Sequence, residues 1–132
     1  MLPPAIKEVR DPELKDALSS HLEETKMHVA RVESEFHAAG AEPTAARSAA
    51  LAGLKADHES QEVKEPALRD LMTADAGIRV EHLEIAVYDS LLRLASVLGV
   101  ESDLLNENRK DEEAALKKLS KIADRLRGDL PR

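Results

Sequence analysis

From Pro66 to Leu98 the chain places an apolar residue every three or four positions, and a single charge interrupts the repeat. Ala67, Leu71, Ala74, Ile78, Ile85, Tyr88, Leu92 and Ala95 fall on one helical stripe, with Glu81 as its only charged member. At 100° per residue, Glu81 lies roughly 20° from the mean direction of that stripe and points into the core. A carboxylate left there without a partner would cost several kcal/mol or stay protonated. Any fold this chain adopts must therefore bring a neighbouring helix, a metal ion or a water to Glu81.

The same helix carries a second apolar stripe on its other side: Val80, Leu83, Val87, Leu91, Leu94 and Leu98. A helix apolar on two faces is either central to the fold or buried against another subunit. A bundle of 132 residues has little with which to cover both faces, so a homodimer or higher homo-oligomer is expected.

The rest of the chain has the same period. Residues 1–10 read as a helical stub after Pro3 and Pro4. Asp11-Pro12-Glu13 is a helix start, with Leu14, Leu18, Leu22, Thr25, Val29, Val32, Phe36 and Ala39 as its stripe and Gly40 as its stop. An alanine-rich short helix is expected from Thr44 to about Glu62. The last helix, capped by Ser102, runs to about Arg127, and residues 128–132 are expected to fray. Apolar and polar residues nowhere alternate over a strand's length. The class is all-α: one domain over 1–132, with three long or medium main helices, the stub, and a short extra helix.

Composition removes several functions. A net charge of −7, with Phe36 and Tyr88 as the only aromatics, lacks the footprint of a nucleic-acid binder. No apolar run approaches a membrane span, and Met1-Leu2-Pro3-Pro4 is not a secretory signal. The absence of cysteine rules out disulfides and thiolate sites and fits a cytoplasmic location. No hydrolase or transferase motif is present.

The chemistry lies in the acids. On the last helix Glu112 sits roughly 25° from the mean direction of Leu105, Asn108, Ala115, Leu119, Ile122 and Leu126. Two inward carboxylates repel unless they share a proton or a cation. For Glu81 and Glu112 three readings stay open: a structural ion pair with an arginine or lysine such as Arg79, a water-filled pocket, or a metal site. His21, Glu24 and His28 form a row on the first long helix, with Glu24 roughly 120° from the stripe centre, which favours a solvated flank. Glu84 and Glu113 read by themselves as surface acids. His82 reads as half-buried, His37 and His58 as exposed, and Asn108 as a group able to orient the Glu112 carboxylate.

Glu13-Leu14-Lys15 through His21-Leu22-Glu23-Glu24-Thr25 to Arg31-Val32-Glu33 resembles the second helix of the YciE/YciF ferritin-like proteins. Arg79-Val80-Glu81-His82-Leu83-Glu84-Ile85-Ala86-Val87-Tyr88 resembles their third main helix, and Asp111-Glu112-Glu113 falls where they carry an acidic pair. The resemblance implies a ferritin-like helical bundle, a dimer, a bacterial stress association and a metal-binding role. By position it implies Glu24, Glu81, Glu84 and Glu112 as metal ligands, with His28 as a fifth. The chain also departs from that pattern. Residues 2–9 match only the end of the family's first helix, whose Ala-Glu-Lys stretch would supply a further ligand. Met27 and Ala115 stand where Glu-x-x-His pairs would put histidine. The expectation is a partial or degenerate iron or manganese site, dinuclear at most, with weak ferroxidase or peroxide-related activity at best. The competing class is a helical interaction protein without metal that assembles through its apolar faces.

Overall fold

The computed structural model describes residues 3–38, 40, 49–60 and 63–131. Five helices follow one another: α1 (Pro3–Glu8), α2 (Pro12–Ala38), α3 (Ala49–Glu59), α4 (Pro66–Leu98) and α5 (Asp103–Asp129). The expected all-α bundle is what the chain forms. α5 packs along both α4 and α2, α3 lies on α4, and α1 turns back onto α2.

Local chemistry sets the boundaries. Glu65 caps α4, its carboxylate accepting the Leu68 N–H at 2.6 Å, and Pro66 follows at the first helical position. Gly99 ends that helix with φ 66°, a left-handed conformation that costs glycine nothing. α3 ends at Glu59, with Ser60 in a turn, a little before the expected end at about Glu62; residues 44–48 and 61–62 of the expected span lie outside those described. Ser102 stands at the start of α5, but its hydroxyl makes no capping bond, and the helix continues through Gly128 to Asp129 instead of stopping at Arg127.

The stripe expected on α2 needs correcting. Val29 and Phe36 are 54% and 41% exposed, whereas Leu14, Ala17, Leu18, His21 and His28 are buried. Leu14 and Leu18 are buried as expected, and Leu22, Thr25 and Val32 are half-buried. Beyond Leu18 the helix is rolled so that His21 and His28 face inward in place of Val29 and Phe36, because α4 and α5 offer them acids to bind. Ala39 lies outside the described residues. On α4 the Glu81 stripe does face inward. Of the second stripe, Val87, Leu91, Leu94 and Leu98 remain 48%, 37%, 54% and 66% exposed.

The apolar core gathers at one end, where Ile6, Val9, Leu14, Leu18, Ala74, Leu119, Ile122 and Leu126 are buried together. A polar lock closes it. Asp70, only 3% exposed, accepts the backbone N–H of Arg10 at 3.0 Å and of Asp11 at 2.7 Å. Asp11 in turn caps α2 through the Leu14 N–H (3.0 Å) and accepts Arg125 Nη2 from α5 (2.7 Å). The Arg125 guanidinium holds the Asp11 carboxyl below its usual pKa, against the opposing effect of burial. A depressed folded-state pKa stabilises the fold above the unfolded value, about 3.9, and that contribution is lost as pH falls through the folded value. The stability gap between the unaltered protein and Asp11→Asn, measured by urea unfolding, should therefore be full at pH 7 and close as pH drops below about 4.

Candidate metal centre

Past the apolar core, α2, α4 and α5 turn their polar residues toward one another. Glu81 and Glu112 are 2% and 1% exposed, and His21 and His28 are 7% and 3% exposed. His21 Nε2 lies 2.8 Å from Glu81 Oε1 and 3.4 Å from Glu112 Oε2. Its other nitrogen, Nδ1, lies 3.3 Å from Glu24 Oε2. His28 Nδ1 lies 2.8 Å from Glu112 Oε1 and its Nε2 lies 3.1 Å from Asp111 Oδ2. Asp111 also accepts Arg31 Nη1 at 2.9 Å. The partners of the buried acids are thus histidines from α2. Arg79, the cation considered from sequence, is exposed.

Electrostatics follow from this packing. Burial works against charge on His28, but hydrogen bonds and charge from Glu112 and Asp111 outweigh it, so its pKa is raised. Burial pushes Asp111 up, yet Arg31 and His28 hold its carboxyl below the usual value. For Glu84 burial outweighs the favourable charges of His21 and His28, and its pKa is raised. Asn108, fully buried, donates to the His28 carbonyl (3.1 Å) and to Tyr88 Oη (3.2 Å) and accepts Arg31 Nη1 (3.1 Å). It therefore fixes the His28 turn and Tyr88, and not the Glu112 carboxylate as expected.

Among the described residues, His21, Glu81, Glu84 and Glu112 each offer one ligand atom, and these four atoms lie within 4.8 Å of one another. Two oxygens in this cluster, Glu81 Oε2 and Glu112 Oε2, are buried without a hydrogen-bond partner. Buried unpartnered carboxylate oxygens are costly in a folded chain, and a cation placed among them would satisfy both. The donor set, one imidazole nitrogen and three carboxylates, fits a divalent ion of intermediate hardness such as iron(II) or manganese(II).

Three of the five ligands implied by the resemblance (Glu81, Glu84 and Glu112) are in this cluster. Glu24 and His28 are not: Glu24, with its side chain 44% exposed, bonds to the far nitrogen of His21, and both nitrogens of His28 are taken by acids. Such outer partners orient a ligand without touching the ion. His21 is the member of the cluster that sequence reasoning did not place among the candidate ligands. Its seven-residue spacings from Leu14 and to His28 put all three on one face, and that signal was outweighed by the longer aliphatic stripe. His37 is exposed as expected, His82 is exposed where a half-buried position was expected, and His58 is half-buried with a buried, unpartnered Nδ1.

The family model described as Domain of unknown function (DUF892) matches residues 1–128. Two solved structures share the fold. The stress protein YciF of E. coli is 26% identical, with a TM-score of 0.88 over 96% of this chain and 82% of that one. YcfI of Rhodopseudomonas palustris is 32% identical, with a TM-score of 0.84 over 89% of this chain and 78% of that one. No curated protein matches the chain. Among the described residues no helix is long and apolar enough to cross a membrane.

Proposed function

Because the chain belongs to the family described as Domain of unknown function (DUF892), with YciF as a solved relative, we propose that it is a stress-response protein whose buried cluster holds one divalent cation, iron(II) or manganese(II). His21, Glu81, Glu84 and Glu112 are the ligands, with Glu24 and His28 orienting His21 and Glu112 from outside. The observation that carries this reading is the pair of buried oxygens that accept no hydrogen bond, Glu81 Oε2 and Glu112 Oε2, on two of four side chains with converging donor atoms. A one-ion site fits better than a dinuclear one, since the nitrogens and oxygens that would serve a second ion are committed to each other. When bound, such an ion can exchange an electron with peroxide or dioxygen, and the chain's own part is to exclude bulk water and fix the donors. Elemental analysis of protein purified without chelator should give close to one iron or manganese per chain. No bound metal, together with no gain in melting temperature on adding either ion, would end this reading.

A second reading, assembly without metal as the primary role, draws on the apolar seam of α4. Val87, Leu91, Leu94 and Leu98 recur at four, three and four residues, the spacing of a helix–helix seam. The two readings are compatible: a homodimer through this seam would cover it and leave the cluster intact. Leu94→Glu should convert a dimer to monomer in size-exclusion chromatography with light scattering, and a monomeric unaltered protein at micromolar concentration rules the dimer out.

A further inference from the structure

Resting on the cation reading above, we propose that the cavity between α2 and α5 is the passage through which the cluster exchanges its ion with solvent. Three of the four cluster residues, Glu81, Glu112 and His21, are 2%, 1% and 7% exposed, and the fourth, Glu84, is half-buried, so an ion reaches them only by a defined route. The cavity measures about 90 Å³ and is bordered by His21 itself and by Glu24. His21 thus has one nitrogen toward Glu81 and the other bonded to Glu24, whose side chain is 44% exposed. The space exists because α2 and α5 face each other there through Ala17, Ser20, Ala114 and Ala115, and a larger side chain at any of these positions would close it. It takes a few waters or a partly dehydrated cation and no organic substrate. Glu24 gives the outer end a negative charge, and Lys118, which also borders the cavity, sets a positive one beside it that opposes cation approach.

A passage affects rates without changing affinity, and that separates it from a structural role. Mn²⁺ uptake by the full chain can be followed in rapid mixing by loss of the free-ion EPR signal, and release by adding a chelator. In Ala115→Leu, and in Ser20→Leu at an exposed position where misfolding is not a concern, uptake and release should both slow at least tenfold by the same factor. The dissociation constant then stays unchanged, because a blocked path raises the barrier in both directions. Lys118→Gln should speed uptake severalfold at low salt, with the difference fading as salt is raised. Unchanged rates in both plugged variants would mean that exchange runs past the half-buried Glu84 instead, and would overturn the proposal. Weaker binding at an unchanged uptake rate would overturn it as well. If the unaltered protein binds no Mn²⁺ at all, this inference and the cation reading fall together.

Discussion

Replacing Glu81 by glutamine is expected to abolish the rise in melting temperature that Mn²⁺ or Fe²⁺ gives the unaltered protein. An ion present at a hundred times its dissociation constant stabilises the folded state by about 2.7 kcal/mol. For a chain of this length that is roughly 10 °C in melting temperature. Glutamine keeps the shape of the side chain and the oxygen that faces His21 Nε2, but it removes the charge and one of the two unpartnered oxygens. The metal-free variant should melt no lower than the unaltered protein, and about 1–2 kcal/mol of added stability is expected, since one of several clustered negative charges is gone. The two outcomes together are diagnostic. A purely structural Glu81 would lose stability in the metal-free state, and a metal-dependent gain that survives the substitution would remove Glu81 from the ligand set.

The largest loss of stability should come from a residue far from any ligand. Asp70→Ala is expected to cost about 2 kcal/mol, because it leaves the part-buried N–H groups of Arg10 and Asp11 without their acceptor. Those two bonds fasten the junction of α1 and α2 to α4, and Asp11 relays the contact to Arg125 on α5, so the junction of four helices loosens at once. Asp70→Asn retains one acceptor oxygen and should lose roughly half as much. Urea unfolding at pH 7 measures both, and a cost below about 1 kcal/mol for the alanine variant would contradict the lock. Metal stoichiometry should be unaffected, because Asp70 is not among the clustered donors.

Both residues are buried acids, yet only one could be found by periodicity. Glu81 interrupts an apolar stripe, and the chain gives no other reading of its direction. Asp70 lies next to Leu71 but off the apolar stripe that Glu81 interrupts, and its burial depends on where the α1–α2 junction comes to rest. That junction is a tertiary fact, set by Ile6 and Val9 entering the core.

The two faces of the site divide in the same way. The sequence by itself determined the long helices, through proline starts and glycine stops for α2 and α4 and a period near 3.6 in all three. It also determined that Glu81 and Glu112 point inward, since each is the lone acid on an apolar stripe. It could not determine the roll of α2. Beyond Leu18, its aliphatic stripe and its histidine row lie on neighbouring arcs, and burying either is locally acceptable. Only the tertiary structure decided between them. With α4 and α5 already presenting buried carboxylates, turning His21 and His28 inward supplies hydrogen-bond donors to Glu81 and Glu112, and turning Val29 and Phe36 inward would have left those acids unanswered. The cost of an unpartnered buried charge exceeds the gain from burying two apolar side chains. That balance places histidine at the centre of the cluster and leaves aliphatic groups at the surface.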